Sequence, residues 1–284
     1  MPLNNQELAT RLWSYRKQNW RGVQTAEWQR KIVEQQVLSD ARPLLERILV
    51  RFGLSANKIR YLDIGSGIGD YVLAGRKLGI KSYGIEPDLI GVGSAETSLQ
   101  IARDRVDNPR VFFSGVGEKL PFSDSQFHLI TMNQVVEHVQ DISAVLSEAL
   151  RVLKPGGVLL VNCPNYLSFY EPHYKIFWFP LLPRFIAKIY LRSRGRDPKF
   201  LDGINYVTRN RLNGMLAKLS CDYEDEDISY LRERIAQPLQ IRSRILRWSA
   251  LVAHRLGVHR LAIWIYGNFY LRGLNYVVLK APEA

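Results

Sequence analysis

From residue 60 onward, short apolar runs alternate with longer stretches whose apolar positions recur every three or four residues. The runs Tyr61–Ile64, Ser82–Ile85, Val111–Ser114, Leu129–Asn133 and Val158–Cys163 predict strands. Between them, Tyr71–Leu78, Gly91–Asp104 and Ile142–Leu153 predict helices. Strict strand–helix alternation implies a parallel sheet covered on both faces, with ligands beyond the carboxyl ends of the strands. Ahead of this region, Ile32, Val33, Val37, Leu44, Leu45, Ile48 and Leu49 fall at helical intervals, so residues 1–58 are expected to form a helical cap. Behind it, Thr208–Leu219 predicts a helix, Cys221–Ile228 a sixth strand with acidic exposed positions, and Leu274–Leu279 a final strand. No internal repeat or low-complexity linker interrupts the pattern.

Composition narrows the class. A chain of 284 residues with 46% hydrophobic content can bury a sizeable core and is not a disordered polymer. Cys163 and Cys221 have neither disulfide nor metal spacing, which fits reduced thiols in a cytoplasmic protein, and no metal is expected. The polar N-terminus does not look like a signal peptide, and no uncharged apolar run approaches the roughly 18 residues of a membrane span. The net charge of +12 is uneven: residues 1–60 carry +6, residues 61–180 carry −3 and residues 181–284 carry +9. Basic flanks around a slightly acidic centre point to an anionic partner, with a simply solvated surface as the alternative.

The first strand runs into Asp63-Ile64-Gly65-Ser66-Gly67-Ile68-Gly69-Asp70. A strand ending in alternating glycines lets backbone approach a ligand, and the next helix offers free N–H groups there. The dinucleotide fingerprint spaces its glycines G-x-G-x-x-G; here they are G-x-G-x-G. A carboxylate beside the turn would repel a pyrophosphate and attract a sulfonium and an ammonium group. S-adenosylmethionine fits that description. Glu86, at the end of the second strand, is placed to accept ribose hydroxyl protons, a placement that would serve NAD equally.

Several blocks occur together and in order. Leu62–Gly69, Gly84-Ile85-Glu86-Pro87-Asp88, Glu118-Lys119-Leu120-Pro121-Phe122 with Val135–Val139, and Leu153-Lys154-Pro155-Gly156-Gly157 resemble the class I S-adenosylmethionine-dependent methyltransferases. The branch resembled includes small-molecule and quinone methyltransferases, and the match covers a little over a third of the chain. The resemblance implies an α/β fold, a Rossmann-like seven-stranded, mostly parallel sheet with helices on both faces. The core would span residues 59–169. A lid, the last strands and a helical insertion at about 230–270 would fill 170–284. It also implies that Asp63, Gly65, Ser66, Gly67, Gly69, Glu86, Pro87, Gly117, Glu118 and Asn133 hold the cofactor. Two positions depart from the family: Val116 stands where an acid often faces the adenine, and His128 where an acid usually follows the strand-four aromatic.

Methyl transfer needs in-line positioning, and a hydroxyl acceptor also gains from a general base. His173, beside Glu171 and between Tyr170 and Tyr174, is the candidate base, with Glu171 and His138 as further catalytic candidates. A structural loop histidine is the alternative for His173, and packing near the cofactor for His138. Asn165, Tyr170 and Tyr174 are candidate substrate contacts, whereas Pro155-Gly156-Gly157 is expected to be a structural turn.

Leu182, Phe185, Ile186 and Ile189 fall at helical spacing among Arg184, Lys188 and Arg192, and Ile241–Leu271 repeats the mixture. Such helices either cap the sheet as a substrate lid or dock on an anionic membrane surface. The sequence therefore predicts a cytoplasmic or peripheral-membrane methyltransferase acting on a hydroxyl of a glycan, sugar-phosphate or lipid-linked small molecule. An RNA methyltransferase, supported by charge alone, and a non-catalytic cofactor-binding membrane scaffold are the competing readings, with a dehydrogenase behind them.

Overall fold

The computed structural model describes residues 2–20, 22–38, 40–87, 97–237 and 244–282. Asp88, the 91–96 part of the predicted helix Gly91–Asp104, and Ile241 and Arg242 lie outside them.

Strands β1 (Arg60–Ile64), β2 (Lys81–Glu86), β3 (Phe112–Ser114), β4 (Phe127–Asn133) and β5 (Leu153–Pro164) run parallel. Two more, β8 (Cys221–Asp225) and β9 (Gly273–Lys280), complete a seven-stranded sheet in the order β3-β2-β1-β4-β5-β9-β8, with β9 antiparallel to both neighbours. The chain starts at β1 in the middle, builds outward to β3, then crosses back to β4. That reversal opens a crevice beyond the ends of β1 and β4, where ligands of such sheets sit.

The helices follow from local chemistry. Helix α6 (Ile142–Val152) buries Ile142, Val145, Leu146, Ala149 and Leu150 at helical spacing, and the Asp141 carboxylate accepts the N–H groups of Ser143 and Ala144 at its start. Each large apolar side chain so buried contributes about 1.5–3 kcal/mol. Helices α4 (Asp70–Lys77) and α5 (Ser98–Asp104) follow β1 and β2. Of the N-terminal helices, α1 (Asn5–Asn19) and α2 (Ala26–Val37) pack through Leu8, Leu12 and Val33 onto Ile68 of the glycine turn, while α3 (Arg42–Arg51) packs through Leu45 and Ile48 onto Tyr61 and Leu129. The cap thus covers both the sheet and its ligand end.

Three elements differ from the sequence expectation. The Pro155-Gly156-Gly157 turn lies inside β5 as a bulge, since Phe127 pairs with Leu153 while Leu129 already pairs with Val158. The acidic run expected to finish a strand at Ile228 instead starts helix α9 (Glu226–Ala236), because the Asp225 carboxylate accepts the Ile228 N–H and Glu226 and Asp227 occupy the first turn. Acids there are favoured by the helix dipole. Finally, β6 (Tyr170–Glu171) and β7 (Ile176–Phe177) form a small separate hairpin. Helices α7 (Arg184–Ser193), α8 (Arg209–Leu216), α10 (Arg244–Arg255) and α11 (His259–Ile265) complete the described elements.

Candidate active site

The glycine turn leaves β1 with Gly65, Gly67 and Gly69 all at positive φ. A Cβ on Gly65 would meet Val135 Cγ2 at 2.4 Å, whereas one on Gly67 would meet nothing within 4 Å. Gly65 is therefore required by packing, whereas Gly67 is favoured by its positive φ and faces open space. The turn's N–H groups are already committed: Gly65 and Ser66 donate to Ile85 O at 2.8 and 3.0 Å, and Gly67 donates to Glu86 Oε2 at 3.0 Å. A pyrophosphate would find these donors taken and a carboxylate beside them. That geometry argues against a dinucleotide.

Glu86 also accepts the Ser98 hydroxyl at 2.9 Å, and burial pushes its carboxyl up against the pull of these two donors. Tyr15 of α1 reaches the same place: burial and then the charge of Glu86 raise its phenol, which hydrogen-bonds Ser98. Pro87 follows, half-buried. Asp63 is 2% exposed and faces inward, accepting the Thr131 hydroxyl at 2.5 Å, while Tyr61 OH lies 2.6 Å from the same Thr131 oxygen. Burial first, then the charges of Glu86 and Asp70, push Asp63 up to about 7 against its hydroxyl donors. It sits beneath the turn as a buried acid that titrates near neutrality rather than as an exposed, fixed anion. Ser66 is buried with its hydroxyl unpartnered. On the opposite wall, Val116 is exposed, Gly117 packs closely on Val145, and the Glu118 carboxylate accepts the Gln140 N–H at 2.8 Å. Asn133 ends β4 opposite Asn162.

The acceptor candidates gather next to this cradle. Val135, in contact with Gly65, is followed two and three residues on by Glu137 and His138. The His138 and His173 rings meet edge to face with centroids 5.1 Å apart. His173 Nδ1 lies 2.7 Å from Glu171 Oε1, which also accepts the Tyr166 hydroxyl at 3.1 Å; Glu171 Oε2 accepts the Tyr174 N–H at 2.6 Å. In a neutral His173 facing that carboxylate, the proton would sit on Nδ1 and the lone pair on Nε2. His138 keeps 37% of its side chain exposed; desolvation by its neighbours and then a positive charge on His173 push it below the usual imidazole range.

Other expected contacts turn out to be internal. Asn165 donates to the carbonyls of Asn268 and Leu271, and Tyr174 OH donates to Asp197 O, so both side chains brace the fold. Tyr170 is half-buried with the Arg272 guanidinium 4.2 Å over its ring.

Four residues were not singled out as site residues from the sequence. Trp20 stacks parallel to His173 with centroids 6.4 Å apart, and Gln24 donates to His173 O at 2.8 Å. Both lie some 150 positions away in the chain, and no spacing rule reaches that far. Tyr166 is invisible for the opposite reason, as one aromatic among many. Glu137 is fully buried, its carboxylate oxygens lack a hydrogen-bond partner and Oε1 lies 3.9 Å from His138 Nε2; burial, then Glu171, push it up to about 8. It therefore holds a proton at neutral pH. Glu137, His138 and His173 each bring a ligand atom within 4.8 Å of the others, a spacing that could also admit a divalent cation.

Comparison with known proteins agrees with the cradle. A methyltransferase-domain family model matches residues 62–161. An uncharacterized methyltransferase of Mycobacterium leprae is 31% identical over 112 residues, 39% of this chain and 39% of its own length. A demethylmenaquinone methyltransferase of Listeria welshimeri is 27% identical over 181 residues, covering 60% of this chain and 70% of that protein. The chain spans only 39% to 55% of the length of the first three relatives. Among solved structures, the YcgJ protein of Bacillus subtilis aligns with a TM-score of 0.48 at 17% identity, over 83% of this chain and 97% of its own. S-adenosylmethionine is the family's cofactor, and the open space at Gly67 with Glu86 beside it suits that molecule. The matched stretch runs from β1 to β5 and carries the cradle, and over these residues the chain is similar to the methyltransferase domain.

Proposed function

We propose that the protein methylates a hydroxyl group of a lipid-linked small molecule or glycan at the cytoplasmic face of a membrane. The observation that carries the reading is the Glu171–His173 pair, buried at 0% and 7% exposure and joined by a 2.7 Å hydrogen bond through Nδ1. Glu86, Ser66, Gly67 and the backbone near Gly117 and Glu118 would hold S-adenosylmethionine, which would supply an electrophilic methyl group.

The chain's own residues supply the rest. His173 Nε2 takes the proton from the acceptor hydroxyl, and Glu171 stabilises the imidazolium that results. Neutral His138, against His173, bounds the pocket without adding a competing charge. Trp20 and Gln24 of the N-terminal cap fix the far side of His173 and keep water from it. Two free cysteines, with Cys163 buried, are in keeping with a reducing compartment.

The test is incubation of purified protein with methyl-labelled S-adenosylmethionine and cell extract, followed by counting label in lipid, small-molecule, polysaccharide and RNA fractions. Label in the lipid or lipid-linked glycan fraction is expected. Label confined to RNA, or none at all, would overturn the reading.

A further inference from the structure

Helix α7 buries Ala187 and Leu191 and still leaves Phe185 at 68%, Ile189 at 61% and Ile186 at 41% exposure. A helix with an apolar stripe on its solvent side, in addition to its buried one, is unfinished business for a water-soluble surface. The stripe does not stand alone. Phe177 of β7 is 53% exposed and Phe179 51%; their rings meet at 5.1 Å, and Phe179 meets Tyr190 of α7 at 5.9 Å. On the other side Phe177 stacks on Phe169, which touches Tyr270 beyond α11. One continuous aromatic face therefore joins the β6–β7 hairpin, α7 and the turn before β9.

The charges flanking this face say what fits it. Residues 181–200 hold Arg184, Lys188, Arg192, Arg194, Arg196 and Lys199 against a single acid, Asp197. Arg192, Arg194 and Lys199 are exposed. Arg184 is fixed to the carbonyls of Leu201 and Ile204, and Lys188 pairs with Asp202. Apolar rings to enter acyl chains, with cations at the rim to meet phosphates, are the two components of interfacial binding. No helix among the described residues is long and apolar enough to cross a membrane, so the face would lie on the surface rather than span it.

We infer that this face docks on an anionic lipid bilayer. It deepens the lipid-linked reading above and rests on it for its purpose: Glu171 pairs with Ile176 across the hairpin, so the strand facing the acceptor pocket is tied to the strand carrying Phe177 to the lipid. An acceptor anchored in the bilayer then reaches His173 without leaving the membrane.

The experiment is sedimentation of the full chain with phosphatidylglycerol–phosphatidylcholine vesicles and with phosphatidylcholine alone, at low and high salt. Alongside it, the oligomeric state and S-adenosylmethionine binding are measured for wild type and for F185E/I189E. Binding is expected to anionic vesicles, weakened by salt, and reduced about tenfold or more in the double variant. The variant should keep wild-type cofactor affinity, which shows that it is folded. Absence of vesicle binding by a monodisperse wild-type monomer overturns the inference. So does a wild-type dimer that ignores vesicles and becomes monomeric in the double variant, since the face would then belong to a second copy. Vesicle binding without labelled lipid would leave the docking standing and remove the lipid acceptor.

Discussion

Glu171 and His173 stand two residues apart on and just after a two-residue strand, and a 2.7 Å hydrogen bond joins them inside the protein. The bond determines which imidazole nitrogen can act. Glu171→Gln keeps the shape but offers an amide that no longer demands the Nδ1 proton. His173→Ala removes the base altogether. Both are expected to lower turnover, His173→Ala by about 10²–10⁴-fold and Glu171→Gln by less, with cofactor affinity unchanged. Steady-state rates and a cofactor titration decide it; full activity in His173→Ala removes the base.

Asp63 makes cofactor binding dependent on pH. Burial holds its carboxyl up at about 7 in the cofactor-free protein. A cationic ligand favours the ionised form, so binding should lower that value and release a proton. The sign follows: affinity rises as pH climbs toward 7 and levels off above it, by up to about tenfold per pH unit on the acid side. Calorimetry in buffers of different ionisation heat would report the released proton, and Asp63→Asn should abolish it. An identical proton count in that variant would place the titration elsewhere.

The sheet and the cofactor cradle were legible in the sequence because their signals are local. Gly65 and Gly67 lie one and three residues after β1, Glu86 ends β2, and every parallel strand was found from its apolar run. The acceptor side was harder. Tyr170–Glu171 and Ile176–Phe177 are too short to show a period, and Asn165 and Tyr174, polar and close to the site, spend their polar atoms on backbone instead. Asp225 ends β8 and its side chain also caps α9, so the chain turns helical at Glu226 rather than continuing as strand to Ile228. Trp20 and Gln24 reach His173 only through the packing of the whole N-terminal cap, which no spacing encodes.

Glu137 should give the protein a stability that declines with pH. Its carboxyl is held at about 8 in the folded state by burial, reinforced by Glu171. In the unfolded chain it ionises near its ordinary value of about 4.3. Between those values the folded state binds the extra proton, so stability falls as pH rises, by up to about 1.4 kcal/mol per unit, and flattens once the folded group ionises. Glu137→Gln cannot ionise and should remove this slope, leaving the smaller one that Asp63 contributes. Urea unfolding from pH 5 to 8 measures it. Equal slopes in wild type and variant would mean that Glu137 is charged, which its spacing with His138 and His173 would then assign to a bound cation.

Gly65 and Gly67 sit two residues apart with similar backbone angles, φ +69 and +50, yet alanine should fail at each for a different reason. At Gly67 the added methyl meets no protein atom within 4 Å. Gly67→Ala therefore costs only the left-handed strain, about 1–2 kcal/mol, and the protein should stay folded. The methyl does occupy the space in front of the cradle, so cofactor affinity should fall much further than stability. At Gly65 the methyl runs into Val135 Cγ2 at 2.4 Å, and stability should suffer first. Trimming the neighbour distinguishes the two: in Gly65→Ala with Val135→Ala, the nearest remaining Val135-derived atom is Cβ at 3.5 Å, an ordinary contact. The double variant should regain stability lost by Gly65→Ala, whereas Val135→Ala should do nothing for Gly67→Ala. Thermal melts with and without cofactor separate these outcomes. Wild-type affinity in Gly67→Ala would show that the ligand does not lie against the turn.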